Sequence, residues 1–224
     1  MKLKCLGSGS SGNCYILEND TEALIIEAGV PLKEVKIALG FNIRKIVGVV
    51  VSHSHGDHAK YVAEYENVGI QVYKPFEGNL PYDVYGSFFF KDFELVHDVS
   101  CFGFYINHPE MGTLIYASDT EYIKWRFKDI NHILVEANYS DDLIEKDASN
   151  YSHVLKGHMS LKTTLDFIST NDNPALRNVV LLHLSASNSD ADYFLQKTKE
   201  TVKYGADCYI AEKGQEIVLD LVPF

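Results

Sequence analysis

The segment at residues 53–58 reads His-Ser-His-Gly-Asp-His and places three imidazoles and one carboxylate within six positions. It directly follows an apolar run at residues 47–52 that is typical of a buried β-strand. Gly56 allows a tight turn, which can point several of these side chains to one side. Imidazole nitrogens and carboxylate oxygens are good ligands for zinc and neighbouring first-row metals. We therefore predict a metal site whose remaining ligands come from elsewhere in the chain.

Strand and helix patterns are mixed along the chain. Apolar runs bounded by Gly, Asn or Asp predict strands at residues 3–6, 14–17, 23–27, 47–52, 88–96, 103–107, 113–118, 133–137, 178–182, 207–210 and 216–219. Helices are predicted after Pro31, after His58, and at residues 161–169 and 193–204. This mixture indicates an α/β (α+β) protein whose sheets are covered by helices. The length suits a single domain over residues 1–224.

The net charge, the apolar runs and the cysteine pattern limit the binding partners and the cellular locations that we expect. Twenty basic residues against thirty-one acidic ones give a formal net charge of −11, which argues against coating long nucleic acids by charge alone but leaves room for a local basic groove. No apolar run approaches the ~20 residues of a membrane span. The N-terminus turns into a Gly/Ser loop before a signal-peptide core could form. The four cysteines form no C-x-x-C pair and are interpreted as small buried residues in a reducing cytosol. We expect a soluble, cytoplasmic protein with no membrane partner.

The order of the metal-ligating residues resembles that of the metallo-β-lactamase superfamily. Segment 53–58 matches the H-x-H-x-D-H signature that this family places after a strand, and three later residues match its single ligands: His97, Asp119 and His183. The implied fold is a four-layered αβ/βα sandwich of the metallo-β-lactamase type, with the metals at one edge. The resemblance implies two divalent cations, one held by His53, His55 and His97, the other by Asp57, His58 and His183, with Asp119 bridging.

Two further motifs resemble the phosphodiesterase branch of that superfamily. Residues 7–14, Gly-Ser-Gly-Ser-Ser-Gly-Asn-Cys, are similar to the loop of the YycJ-like (WalJ-type) exonucleases, where amides and hydroxyls could meet a phosphate. Residues 135–138 (Val-Glu-Ala-Asn) and 157–160 (Gly-His-Met-Ser) resemble paired motifs of ribonuclease Z. The resemblance implies that Glu136 orients His158, which then donates a proton to the leaving oxygen. The alternatives are a plain hairpin loop and an exposed histidine beside a helix N-cap.

The chain departs from the family pattern at two positions. Residues 27–29 read Glu-Ala-Gly where the family usually has Asp-Ala-Gly, and Glu121 stands where glycine is common. The longer Glu27 side chain is expected to shift hydrogen bonds near the metals. The loop over the site is expected to differ around Glu121. Neither departure removes a predicted ligand.

Some histidines and aromatic residues match no motif. His108, His132 and His153 are interpreted as surface or structural residues. The aromatic run at residues 88–93 is assigned to the core or to a dimer contact rather than to a base-stacking platform, so a homodimer stays open. The aromatic residues between positions 122 and 127 are assigned to helix packing, with pocket lining as the alternative.

The resemblance implies metal-dependent hydrolysis of phosphodiester bonds, with Asp57, Glu136 and His158 as catalytic residues. Two divalent cations ~3.5–4 Å apart bring the pKa of a bridging water toward neutrality and give hydroxide as the nucleophile. Zinc is the expected metal, and manganese, iron or nickel are alternatives. The chain has no room for the large clamping insertion of the β-CASP nucleases, and residues 138–157 are too few for the long tRNA-gripping arm of many ribonuclease Z enzymes.

Several substrates fit this chemistry. A nuclease acting on the ends of DNA or RNA is favoured by the Gly/Ser loop. A cyclic nucleotide or another small phosphodiester is favoured by the net acidity and the missing arms. Lactone or thioester hydrolysis, and a metal-stabilised binding protein without turnover, are the alternatives from other classes.

Overall fold

The apolar runs of the sequence become the strands of two sheets. We analysed a computed structural model, which describes residues 1–78, 83–144 and 156–221. In these ranges the strands are β1 (Lys2–Gly7), β2 (Cys14–Glu18), β3 (Ala23–Ile26), β4 (Ile46–Val50), β5 (Val72–Tyr73), β6 (Val84–Tyr85), β7 (Phe88–Leu95), β8 (Cys101–His108), β9 (Gly112–Ala117), β10 (His132–Glu136), β11 (Asn178–Leu182), β12 (Asp207–Ile210) and β13 (Glu216–Val218). The helices are α1 (Leu32–Ala38), α2 (Gly56–Ala59), α3 (Val62–Glu66), α4 (Leu161–Asn171) and α5 (Ala191–Thr201).

Both sheets are mixed, and the directions of their strands determine at which edge of the sheet each carboxyl end lies. The first sheet has the order β13-β1-β2-β3-β4-β5, in which β3, β4 and β5 are parallel. The second has the order β12-β11-β10-β9-β8-β7-β6, in which β9 to β12 are parallel. Strand β8 is antiparallel to both β7 and β9, so β7 runs in the same direction as β9. The carboxyl ends of β7, β9, β10 and β11 therefore lie at one edge.

The two sheets pack face to face, with helices on both outer faces. The core between the sheets joins side chains such as Tyr15 and Leu24 of the first sheet to Phe104 and Tyr116 of the second. Outside the first sheet, α1 and α3 cover apolar residues of β2, β3 and β4. Outside the second sheet, α4 and α5 cover β10, β11 and β12. This arrangement confirms the predicted four-layered αβ/βα sandwich, because each sheet buries one face on the other sheet and one under helices.

The longer helices begin at side-chain caps and bury one stripe. The Ser160 side chain accepts a hydrogen bond from the Thr163 amide at the start of α4, and Asp190 does the same at the start of α5. Within α4, Leu161, Thr164 and Ile168 are buried at spacings of three and four residues, as expected for a helix with one buried face. The α4 cap places the chain segment before it, which contains His158, against the end of β10.

The structure corrects several sequence predictions. Strands β11 and β12 have the predicted bounds, whereas the two-residue strands β5 and β6 were not predicted. The short helix expected after His58 is α3, whereas α2, which contains part of the metal-ligand segment, was not predicted. The assignment of the aromatic residues at positions 122–127 to helix packing holds for Phe127, which packs against Phe167 of α4, whereas residues 121–131 themselves form no helix. Short apolar runs carry too little periodicity to separate these cases.

The cysteines and the unassigned histidines are structural where they are described. All four cysteines are buried and unpaired, as predicted. His108 and His132 are buried, so a surface location is wrong for both: His108 Nε2 lies 3.1 Å from Glu22 Oε1, and His132 Nε2 lies 2.9 Å from the Met111 carbonyl oxygen. His153 lies outside the described residues. Among the helices in the described ranges, none is long and apolar enough to cross a membrane.

Candidate metal centre

The seven predicted ligands all follow the carboxyl ends of strands. Segment 53–58 follows β4, His97 follows β7, Asp119 follows β9, and His183 follows β11. Because these strand ends meet at one edge of the sandwich, side chains that are distant in sequence come together there. The structure thus brings the predicted residues into one cluster, and their role as metal ligands is a proposal that we develop below.

The first group consists of three histidines. Ligand atoms of His53, His55 and His97 all lie within 4.8 Å of one another. His53 is fully buried, and its Nδ1 lies 2.8 Å from the Ser52 hydroxyl oxygen, which leaves Nε2 pointing to the group. His97 Nε2 lies 3.3 Å from His55 Nδ1. Three imidazoles at this spacing form a donor set that suits zinc and similar metals.

The second group consists of Asp57, His58 and His183, again with ligand atoms within 4.8 Å of one another. His58 and His183 are buried, and His183 Nε2 lies 3.6 Å from Asp57 Oδ2. Asp119 lies between the two groups: its Oδ2 is 2.8 Å from His58 Nε2, and it forms a further cluster with His53 and His58. This position is the one that a bridging carboxylate would need.

The backbone conformation after three strands directs side chains toward the cluster. Glu27, Asp119 and His183 have φ angles of 67°, 54° and 54°, in the left-handed region that non-glycine residues seldom adopt. Each residue follows a buried strand and turns its side chain into the cluster. Such a conformation costs free energy and persists only where surrounding contacts impose it, which is common at functional sites.

Close approach of two backbone segments also depends on a glycine. A Cβ atom at Gly29 would collide with the carbonyl oxygen of Asp57, so no side chain fits there. The Ala28 amide donates to the His58 carbonyl oxygen over 2.7 Å, which ties residues 27–29 to segment 53–58. The glycine of the Glu-Ala-Gly motif therefore lets α2 lie directly against the end of β3.

Unpaired nitrogen atoms test whether the cluster fits a metal. Within the described ranges, His53 Nε2, His97 Nδ1 and His183 Nε2 are buried and have no hydrogen-bond partner. Buried imidazole nitrogens without partners carry a desolvation cost, so their presence calls for an explanation. The opposite ring nitrogens of His53 and His183 are held by protein groups, as is usual for metal-ligating histidines. The residues fit a metal centre.

The charges of the cluster point the same way. Burial favours the neutral form of His58 and His183, but the Asp119 carboxylate outweighs it and, with neighbouring acids, raises the pKa of both, that of His183 to about 9. His183 and His58 in turn hold the pKa of Asp119 well below its usual range. The buried carboxylates therefore require positive charge, which protons on these histidines or divalent cations can supply.

A histidine–carboxylate pair borders the cluster. His158 Nδ1 lies 2.6 Å from Glu136 Oε1 and 3.2 Å from Asp119 Oδ1. Glu136 is fully buried and also accepts from the Thr120 and Met159 amides. Burial lowers the pKa of His158, but the Glu136 carboxylate more than compensates and raises it to about 10. The structure thus brings the two residues into contact and excludes the alternative of an exposed His158, and their catalytic role is a proposal that we develop below.

Glu27 replaces the family's aspartate without breaking the site. Its carboxylate oxygens lie 3.3 and 3.2 Å from the Ser52 amide nitrogen, and Oε1 lies 3.4 Å from His58 Nδ1. The longer side chain thus contacts both Ser52, directly before segment 53–58, and His58 at the end of that segment. Glu121 donates its amide to the Val96 carbonyl oxygen, which closes the loop next to His97.

The Gly/Ser loop forms one wall of the site, and Asn13 attaches it there. The Asn13 side chain accepts from the Gly9 amide over 2.8 Å and donates to Asp57 Oδ2 over 3.3 Å. The Ser8 hydroxyl accepts from the His183 amide over 2.9 Å. The sequence analysis predicted the loop but not these contacts, and Asn13 at its end was the signal that could have indicated them.

A cleft of about 440 Å³ opens onto the cluster. Its walls combine five of the predicted ligands with polar residues from three places in the chain: Ser10 of the Gly/Ser loop, Asn138 after β10, and Ser185, Ser187 and Asn188 after His183. Hydroxyl and amide groups beside a cationic centre suit an anionic substrate with several oxygen atoms. The arrangement can therefore hold two cations, a polar substrate and a proton donor in contact with one another.

Comparisons with known proteins agree with this geometry. The family model described as the metallo-beta-lactamase superfamily matches residues 7–120. The exodeoxyribonuclease YycJ of Bacillus anthracis is 23% identical over 242 residues, which cover 93% of this chain and 89% of that protein. Among solved structures, the metallo-beta-lactamase fold protein YhfI from Bacillus subtilis has a TM-score of 0.70 at 16% identity, covering 97% and 99% of the two chains. Human tRNase Z, short form, has a TM-score of 0.63 at 14% identity, covering 98% and 99%.

Proposed function

Because this chain belongs to the metallo-β-lactamase superfamily of hydrolases, we propose that it is a metal-dependent phosphodiesterase, and specifically a nuclease acting on the ends of DNA or RNA. The observation that carries the proposal is the Glu136–His158 pair at 2.6 Å beside Asp119. If the metals alone carried the reaction, no buried carboxylate would be needed to keep a proton on His158, an imidazole outside the set of predicted metal ligands. Cleavage of a P–O bond gives such a proton a use, because the departing oxygen leaves as an alkoxide.

The residues of the chain divide the work between holding, orienting and proton transfer. His53, His55 and His97 would hold one cation, and Asp57, His58 and His183 the other, with Asp119 between them. When bound, such cations lower the pKa of a water molecule and offset charge on the phosphoryl oxygens, and we propose zinc in this role. Glu136 orients His158 and keeps it protonated. His158 lines the cleft, where it can give its proton to the leaving oxygen.

Two observations support a nucleic-acid end as the substrate. The relative from Bacillus anthracis is named an exodeoxyribonuclease. The Gly/Ser loop, which contains Ser10, lines the cleft beside Asp57 and His183. Hydroxyls and backbone amides of such a loop can bind the phosphate next to the scissile one.

A small phosphodiester, such as a cyclic nucleotide, is the second candidate. The size of the cleft, about 440 Å³, favours it, because that volume lies in the range of sites for small ligands. The formal net charge of −11 favours it too, since long-range repulsion acts more strongly on a polyanion than on one nucleotide.

The test combines metal analysis with a substrate panel. Purified protein is assayed for bound metals and for cleavage of bis-p-nitrophenyl phosphate, cyclic mononucleotides, and labelled single- and double-stranded DNA and RNA. We expect about two metals per chain and cleavage that is lost in the variants Asp119→Ala and His158→Ala. The His158→Ala protein should keep its metals, because His158 is assigned to proton transfer.

The chain offers a matched control for His158. His108 and Glu22 form another buried histidine–carboxylate pair, at 3.1 Å, that does not line the cleft. The variant His108→Ala should lose stability but keep activity per folded molecule. Bound metal without cleavage of any phosphodiester would contradict the proposal and favour lactones or thioesters, which the same panel should then include.

A further inference from the structure

We propose that an aromatic groove on the outer face of β7 and β8 binds the bases of a single-stranded nucleic acid whose end lies in the metal centre. This inference rests on the proposed nuclease function and names the form of its substrate. We call this site the aromatic groove, and six of its residues define it: Phe89, Lys91, Phe93, Tyr105, Lys124 and Trp125.

One side of the groove is formed by Lys124, Trp125 and Phe127, which belong to a segment that alternates aromatic or apolar residues with cations. Residues 122–128 read Tyr-Ile-Lys-Trp-Arg-Phe-Lys, so three of seven residues are basic and none is acidic. This composition contrasts with the whole chain, whose formal net charge is −11. Cations interleaved with aromatic rings are the combination that binds the backbone and the bases of single strands.

The exposure of the Trp125 ring requires an explanation. Trp125 is 45% exposed, although a ring of this size usually buries most of its surface. The Lys124 ammonium lies 5.0 Å from the centre of the Trp125 ring, and the Trp125 indole N–H donates to the Glu94 carbonyl oxygen over 3.3 Å. The indole is thus held in place with a ring surface open to a ligand.

The groove is large and presents a sheet surface. Its volume is about 790 Å³, larger than that of the cleft at the metal centre. Phe89, Lys91 and Phe93 alternate along β7 and therefore share one face of the sheet. Phe127 closes the far side by packing against Phe167 of α4, with ring centres 6.3 Å apart. Aromatic residues on an open sheet face are a known platform for stacking unpaired bases.

The acidic residues of the groove are already paired. The Lys124 ammonium lies 3.2 Å from Glu94 Oε2, and Asp92 accepts a hydrogen bond from the Tyr73 hydroxyl over 2.7 Å. The Lys91 ammonium lies over the Phe89 ring at 5.5 Å and is exposed. Of the groove's own cations, Lys124 is thus paired with Glu94, whereas Lys91 is exposed to an entering phosphate, as are Arg126 and Lys128 of segment 122–128.

The groove leads to the metal centre. Strand β7 runs from the groove to its end at Leu95, and His97 follows two residues later. Three residue steps separate Glu94 from His97, which span at most about 10 Å, or roughly three stacked bases at ~3.4 Å each. Backbone bonds hold the two segments together: the Val96 amide donates to the Thr120 hydroxyl, and the Glu121 amide donates to the Val96 carbonyl oxygen. One strand can therefore occupy both sites.

The experiment uses Trp125, the only tryptophan of the sequence, as its own reporter. A short oligodeoxythymidylate is titrated into metal-loaded His158→Ala protein, which should bind without cleaving, while tryptophan fluorescence is recorded. We expect saturable quenching, because a stacked base quenches the indole, and weaker quenching with the matching duplex. Steady-state kinetics then compare the oligonucleotide with bis-p-nitrophenyl phosphate, which is too small to reach the groove.

Three variants of the catalytically active protein, which keeps His158, show whether the groove contributes to the KM. Trp125→Ala should raise the KM for the oligonucleotide about ten-fold more than that for the small diester, which equals about 1.4 kcal/mol and matches the loss of one stacked base. Trp125→Phe should restore most of the affinity because it keeps an aromatic ring. Tyr204→Ala removes a ring that is 55% exposed outside the groove and should change neither KM.

The outcomes separate this inference from the proposed function. Equal losses on both substrates, or saturable binding without quenching, would overturn the groove while phosphodiester cleavage stands. Quenching without cleavage of any diester by the wild-type protein would overturn the proposed function while the groove stands. A wild-type dimer that Trp125→Ala converts to a monomer with unchanged oligonucleotide affinity would show that the groove binds a second copy of the chain, and would also overturn the inference.

Discussion

Acid sensitivity of the fold should depend on His132, far from the metal centre. This imidazole is fully buried, and its Nε2 donates to the Met111 carbonyl oxygen over 2.9 Å. Burial lowers its pKa from 6.5 to about 4. Since the folded pKa lies below the unfolded one, the unfolded chain binds a proton first as the pH falls. The stability contributed by neutral His132 is therefore complete above about pH 6.5 and is lost as the pH falls toward 4.

The magnitude follows from the two pKa values. At about 1.36 kcal/mol per pKa unit, the full shift from 6.5 to about 4 corresponds to about 3 kcal/mol of unfolding free energy. Two-thirds of it, about 2 kcal/mol, should be lost between pH 7.5 and pH 5, where the unfolded imidazole is almost fully protonated and the folded one is still neutral.

The assay compares wild type with His132→Gln by denaturant unfolding at both pH values, with identical metal supply. Glutamine can keep a donor near the Met111 carbonyl oxygen but cannot be protonated. All other histidines are common to both proteins, so the change in their stability difference isolates His132. We expect the wild type to lose about 2 kcal/mol more than the variant on going from pH 7.5 to pH 5. Parallel pH dependences would refute the reasoning.

Three further predictions concern the metal centre. Glu136→Gln should lower kcat about 100-fold with little change in metal content, because His158 loses the carboxylate that keeps it protonated. Steady-state kinetics together with metal analysis checks this, and an unchanged kcat would contradict it. Asn13→Ala should weaken the binding of one metal about 10- to 100-fold, because Asp57 loses the side-chain amide that orients it. Chelator competition measures the metal affinity, and a value equal to that of wild type would argue against this role of Asn13. Removing the metals with a chelator should lower the unfolding free energy by several kcal/mol, because buried nitrogens such as His53 Nε2 then have no partner. Thermal unfolding with and without chelator tests this, and equal melting temperatures would show that no stabilising metal had been bound.

Most regular elements could be predicted from the sequence because their patterns are local. The run at residues 178–182 is continuously apolar and became the buried strand β11, with the predicted bounds. The pairs of residues that form β5 and β6 are too short to show a period, and they become strands only through pairing with β4 and β7. The aromatic residues around Trp125 were assigned to helix packing, and a local pattern could not show that Trp125 itself is half exposed in a segment that forms no helix.

The sequence by itself predicted which residues could bind metal. Segment 53–58 carries a local signal, whereas His97, Asp119 and His183 could be identified only by their order along the chain and by the resemblance to the metallo-β-lactamase superfamily. The same holds for the Glu136–His158 pair, whose two motifs could be identified separately. Only the tertiary structure decided how these groups are held. The left-handed backbone of Asp119 and His183, and the contact of Ser8 with His183 across 175 residues of sequence, arise from packing between distant segments. A local pattern cannot encode such contacts, since they exist only when the strand ends of both sheets meet at one edge.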